Sequence, residues 1–183
     1  MTTAGDLLTA EAFHDLGDLG QPAELVRGAI VMMNVPYPRH GQVCSVTAFL
    51  VTEYARAHDL GHVLTNDSGV VTERNPDTVR GADVSFYRYE RLPRGPLPQG
   101  YLAIMPDVVF EVRSAWDRFS ELLEKSAEYL RAGVGTVCLL DPENETATVL
   151  TEHGPARQLR GSDRLELRPW LGDFSVEVRQ FFL

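Results

Sequence analysis

The chain has 183 residues, 44% of them hydrophobic and 23% charged. That is one domain's worth of residues with material for a sizeable core, and it excludes a disordered tail. Against 17 Lys and Arg stand 26 Asp and Glu, a formal net charge of -9, so bulk charge does not carry the protein onto nucleic acid or an anionic membrane, although a local basic groove stays open.

Apolar runs are broken by Arg, Glu or Gly within about ten residues, too short to span a bilayer. Met1 to Gln21 has four acids and no base, unlike a secretory leader. The expectation is a mature cytoplasmic chain forming one domain over 1–183. Cys44 and Cys138 sit in separate apolar runs and read as buried free thiols.

Thr9 to Leu16 reads as a short helix with Thr9 as its N-cap. Glu24 to Met33 reads as two strands turning at Arg27-Gly28. From Arg39 to His58, Val43, Val46, Leu50, Tyr54 and Ala57 recur at helical spacing, and Gly61 ends the segment. Val63–Thr72 and Val79–Tyr87 are β-rich and flank the turn signal Asn75-Pro-Asp. The Pro-rich stretch Arg91–Gln99 reads as an irregular loop.

Asp107 to Arg113 reads as a buried central strand. Phe119, Leu122, Leu123, Ser126 and Leu130 trace a helix that Gly133 stops. A second buried strand, Gly135 to Leu140, turns at Asp141-Pro-Glu-Asn into Thr146–Thr151. Leu165 to Leu183 alternates strand-like and turn segments. The pattern predicts an α/β or α+β domain with a mixed sheet flanked by helices. No Gly-rich phosphate loop supports a dinucleotide fold or a P-loop.

Three carboxylates lie in or beside apolar strands: Asp83, Asp107 and Glu111. Burying a carboxylate is costly unless it is paired or metal-bound. Asp107 and Glu111 are about 13 Å apart along one strand and cannot share an ion without a bulge; Asp107, at the strand entrance, reads as a structural or edge residue. If the strands of Asp83 and Glu111 pair, both can reach one hard cation such as Mg²⁺. The alternative is a turn-capping Asp83 and a Glu111 paired with Arg113 or another arginine.

Lys125 is the one lysine among the basic residues. It lies on the helix after Glu111, on the flank of Leu122 and Tyr129. Two carboxylates, a metal ion and an ammonium suit phosphodiester hydrolysis; the alternative is a surface lysine paired with Glu121 or Glu128.

The ordered blocks Glu24–Met33, Pro38-Arg-His, Ala82-Asp-Val-Ser-Phe, Pro106–Ser114, Lys125–Val134 and Leu139-Leu-Asp-Pro resemble the Uma-two family of putative restriction endonucleases. The resemblance runs from about Thr9 to the Leu171-Gly-Asp-Phe-Ser tail. It implies a restriction-endonuclease-like PD-(D/E)xK fold with Asp83 and Glu111 as metal-binding carboxylates. It also implies that the lysine comes from the helix, as Lys125, with Glu24 as an additional acid. Ala82 stands where the family usually has Pro, a backbone device with little bearing on the chemistry. Ser114-Ala-Trp-Asp replaces the usual Ser-Pro-Ser-Asp. Arg113 fills the place of a strand lysine, where its fixed fork suits phosphate but not proton transfer.

His40 opens a helix, whose N-terminus favours anions. It is a second candidate phosphate contact, with a capping or solvent-facing role as the alternative. Trp116, Phe181 and Phe182 read as packing or dimer contacts. The reading that follows is a Mg²⁺- or Mn²⁺-dependent endonuclease acting on DNA as a homodimer. The alternatives are a silent nuclease fold used for binding or regulation, and a hydrolase of small phosphodiesters.

Overall fold

The structure is a computed structural model in which residues 7–183 are described; the first six residues of the acidic Met1–Gln21 stretch lie outside them. Helix α1 (Ala10–Asp15) precedes the hairpin of β1 (Ala23–Val26) and β2 (Ala29–Met32), then α2 (Pro38–Ala57). A long antiparallel pair follows, β3 (Gly61–Glu73) and β4 (Thr78–Arg88). Next, β5 (Val108–Val112), α3 (Phe119–Ala132) and β6 (Thr136–Asp141) make a parallel crossover. Strands β7 (Thr146–Leu150) and β8 (Arg157–Arg160) complete the sheet. The tail adds β9 (Arg164–Glu166), β10 (Ser175–Glu177) and a 3-10 turn at Val178–Phe182.

The eight strands run β2-β1-β4-β5-β6-β7-β8, with β3 also paired to β4. Among the described strands only the β5–β6 pairing is parallel, so the sheet is mixed, as predicted, and helices cover it. Local chemistry sets the element ends. Thr9 Oγ1 accepts the Ala12 N–H at 3.1 Å, and Gly133, at φ 103°, closes α3 in the left-handed conformation glycine tolerates. Arg27 and Gly28, at φ 50° and 78°, make the two-residue hairpin turn whose twist matches its strands.

Strand β5 divides the core. Val108, Phe110 and Val112 pack with α2 and the C-terminal tail, while Val109 packs with Leu122 and Tyr129 of α3. The buried row of α2 is Val43, Thr47, Val51 and Ala55, rather than the predicted Val43–Val46–Leu50–Tyr54–Ala57. A row at four-residue spacing includes a threonine, which an apolar count passes over. In α3 the buried residues are Leu122, Ser126 and Tyr129, whereas Phe119 and Leu123 are exposed. Ser126 is accommodated because its hydroxyl donates to the Leu122 carbonyl at 2.7 Å.

Asp107 is fully buried at the entrance of β5, where it accepts the Arg88 N–H at 2.8 Å and pairs with Arg88 and Arg91 at 3.1 and 3.3 Å. It joins the end of β4 to the start of β5. Both cysteines are free, but Cys44 is only partly buried. Among the described residues, no helix is long and apolar enough to cross a membrane.

Phe181 and Phe182 belong to the larger core cluster, and Phe181 is fully buried against Phe110. They pack within the chain. Phe181→Ala is expected to cost about 3–5 kcal/mol, read as a lowered urea midpoint with an unchanged m-value.

Candidate active site

Strand β3 occupies one edge of β4 from Thr78 to Arg88. The opposite edge is shared: β1 meets β4 at Val79, and β5 meets it at Val84–Phe86. The two strands part between those points, leaving the edge at Arg80–Asp83 without a strand partner. A buried backbone group must still be satisfied, and at Gly81 side chains do it. Its N–H donates to Glu24 Oε1 at 3.0 Å, and its carbonyl accepts from Lys125 Nζ at 2.9 Å and the Tyr129 hydroxyl at 3.3 Å.

One residue beyond the last β4–β5 pair, Val84 and Phe110, stand Asp83 and Glu111. The alternation of β4 fails here. Ala82 packs in the α3-side cluster, yet Val84, two residues on, packs in the α2-side cluster. Opposite this break β3 bulges at Asn66 and Asp67, both with positive φ (61° and 54°). Asp83 therefore sits between the faces. Its Oδ2 accepts the Val112 N–H at 2.7 Å, in place of a strand carbonyl, and its Oδ1 lies 3.4 Å from His40 Nε2 on α2.

Glu111 points toward α3, where Lys125 Nζ donates to its Oε2 and the Tyr129 hydroxyl to its Oε1, both at 2.9 Å. The ammonium also lies 3.0 Å from Glu24 Oε1. Gly81 and Glu111 take two of its N–H groups, and Glu24 pairs with its charge. Arg80 fixes the back of the cluster by bridging Glu24 and Glu128 at 2.9 and 2.7 Å. Glu128, one of the partners considered for Lys125, is taken by Arg80 and the Thr72 hydroxyl instead.

One pocket is lined by Glu24, Asp67, Asp83, Glu111 and Asp117, with Lys125 as its one permanent cation and His40 at the side. Burial and the neighbouring charges set the titrations. Burial pushes the Glu111 carboxyl up to about 8, against Lys125 and helped by the charge of Asp83. Asp67 is exposed to solvent, yet loss of water on its pocket side and then Asp83 raise its carboxyl too. Burial would also raise Asp83 and Glu24. For Asp83, His40 and the Val112 N–H outweigh it; for Glu24, Lys125 and Arg80 do, and both end below the ordinary carboxylate range. Lys125 is raised, because Glu111 and Glu24 overcome the desolvation that would lower it.

Of the residues singled out from sequence, Asp83, Glu111, Lys125 and Glu24 meet in this pocket. His40 joins them through Asp83, and neither caps the helix nor faces solvent. Arg113 does not pair with Glu111. It turns to Asp141 and Glu143 at 3.1 and 3.5 Å, in a neighbouring pocket shared with Tyr37, Arg39 and His40. Sequence reasoning passed over Asp67, Arg80 and Asp117, and took Tyr129 only as a neighbour of Lys125. Tyr129 was the most accessible, lying one helical turn beyond Lys125 on the same flank.

A mixed sheet with helices on both faces, its acids and lysine gathered where two strands part, defines a restriction-endonuclease-like fold. The chain belongs to the Uma2 family, described as "Putative restriction endonuclease", which it matches over residues 10–179. It is similar to a solved structure from Anabaena variabilis, described as "a putative nuclease belonging to DUF820", with a TM-score of 0.82 and 16% identity over 96% of this chain and 97% of that one. At that identity the likeness establishes the fold. No curated protein matches the chain.

The raised Glu111 and His40 give a pH signature in metal-free protein. Between the ordinary Glu value near 4.5 and about 8 the folded state holds a proton that the unfolded chain releases, so stability falls as pH rises through that window. His40, raised from 6.5, adds a loss of the same sign. The depressed acids Asp83 and Glu24 act separately, losing their contribution only in more acidic solution. Urea midpoints in chelator are expected to fall from pH 5 to about 8.5, with a shallower slope in Glu111→Gln.

Proposed function

We propose that the protein is a metal-dependent endonuclease that hydrolyses DNA phosphodiester bonds at the pocket between β1, β4 and β5. The convergence of Asp83, Glu111 and Lys125 on the unpaired edge of β4 carries this reading, and membership of Uma2 supports it. The donor set fits a hard divalent cation, since carboxylates outnumber fixed cations in the pocket. Asp83 and Glu111 would hold Mg²⁺ or Mn²⁺, which when bound supplies water activation and neutralises charge on the phosphate.

The chain's own residues do the rest. Lys125 is held between Gly81, Glu111 and Glu24 with a raised pKa, so it stays protonated and acts as a fixed positive charge rather than a base. That charge stabilises the charge developing on the phosphate and keeps Glu111 oriented. Glu24, tied to Gly81, Arg80 and Lys125, places the ammonium. Tyr129 holds the other oxygen of Glu111. His40 keeps Asp83 ionised and faces the neighbouring pocket, where it could meet a phosphate beside Arg113 once Asp141 or Glu143 releases that guanidinium.

Cleaving a duplex takes two such sites, so the reading includes a homodimer acting in the cytoplasm. Supercoiled plasmid with Mg²⁺ or Mn²⁺ is expected to be nicked, and chelator to stop it. Asp83→Ala and Lys125→Ala are each expected to lower the rate by about 10²-fold or more, with circular dichroism confirming that both fold. Nicking that survives both substitutions would overturn the assignment. A folded protein that never nicks plasmid or single-stranded DNA would favour a silent binding role or a smaller phosphodiester.

A further inference from the structure

His40 and Cys44 lie one turn apart on α2 and therefore on the same face. Measured from one ring nitrogen, His40 Nε2, Asp83 Oδ1 lies 3.4 Å and Cys44 Sγ 3.9 Å away. One nitrogen, one sulfur and one oxygen from the three residues all lie within 4.8 Å of one another, the one such group of three among the described residues. Around a tetrahedral zinc ion, bonds of about 2.0–2.3 Å place donor atoms about 3.3–3.8 Å apart. His40 Nε2 and Asp83 Oδ1 already stand at that spacing, and the Cys44 thiol has to draw in to complete it. The pocket reaches His40 and Asp83 directly, which gives an ion a way in.

We propose that His40, Cys44 and Asp83 form a second cation site, selective for thiophilic transition ions such as Zn²⁺. Mg²⁺ demands oxygen donors and has little use for a thiol or an imidazole, whereas Zn²⁺ takes all three donor types. Ligation replaces the Cys44 S–H bond by a sulfur–metal bond and releases that proton to solvent. A protonated His40 releases a second proton, and no redox change occurs. The fourth position remains for water. Asp83 belongs to both sites, so Zn²⁺ here withdraws it from the hard-cation site and blocks it; that consequence rests on the hydrolytic reading above, the N,S,O site itself does not.

The full-length protein titrated with Co²⁺, a spectroscopic substitute for Zn²⁺, is expected to develop a thiolate-to-cobalt charge-transfer absorption in the near ultraviolet. Zn²⁺ should bleach it, and Mg²⁺ should not abolish it. Cys44→Ser should lose the band and weaken Co²⁺ binding by at least about tenfold, since even partners outside the direct ligands are worth that much. Asp83→Asn should weaken binding while keeping some thiolate absorption. Circular dichroism checks the fold of each variant. A wild-type protein without the band, or a band that persists in Cys44→Ser, overturns the inference. The absorbance reads ligation without turnover: a protein that shows the band but never nicks DNA keeps this site and loses the hydrolytic reading, and the reverse result loses only this site.

Discussion

Everything in the pocket depends on how the edge of β4 is shared. A central strand usually has a neighbour along both edges, and its backbone groups are then consumed by ladders. Here β1 and β5 each take one end of an edge and separate in the middle, which exposes the N–H and C=O of Gly81 inside the protein. Orphaned polar groups in that position are costly, and Glu24, Lys125 and Tyr129 satisfy them. The site's side chains are therefore part of the sheet's hydrogen bonding, and the fold fixes their positions by the same bonds that complete the strand. Gly81 also has to be glycine, because a Cβ there would come within 2.9 Å of Asp67 Cβ on the bulged strand.

The electrostatics follow from that crowding. Lys125 and Arg80 are divided among Glu24, Glu111 and Glu128, and Glu24 ends below its ordinary range while burial, with the charge of Asp83, lifts Glu111 above its own. Two acids in one cavity, one held below and one above its ordinary range, is the asymmetry expected when neighbouring cations outweigh burial at one carboxylate and burial outweighs them at the other. Arg80 does not line the pocket, yet it keeps Glu128 from competing for Lys125.

Much of this was legible in the residues. The carboxylates at 83 and 111 are conspicuous in apolar strands, and a solitary lysine in an arginine-rich chain marks position 125 before any coordinates. The hairpin at Arg27-Gly28, the cap at Thr9 and the stop at Gly133 follow from local chemistry alone. What stayed hidden is tertiary. Asp67 reaches the pocket because two successive residues of β3 adopt positive φ, and neither Asn66 nor Asp67 says so by type. Asp83 touches α2 only because strand alternation breaks at that point, so a period-two count cannot place it beside His40 and Cys44. Arg113 lies two residues from Glu111, on the same face by simple alternation, but β5 ends at Val112 and the guanidinium turns to Asp141. Glu24 was reached through family resemblance, since an acid at the start of an edge hairpin is otherwise unremarked.

The way Gly81 is held has a further consequence. An amide in the middle of a sheet ordinarily exchanges its hydrogen with solvent when a neighbouring strand lifts away, so its rate measures cooperative opening. The partner of the Gly81 amide is the tip of one carboxylate, not a strand. Its exchange is set by the rotamer of Glu24 while the strands on either side stay closed. The sheet thus carries, at its centre, a reporter that reads the arrangement of the pocket independently of the stability of the fold.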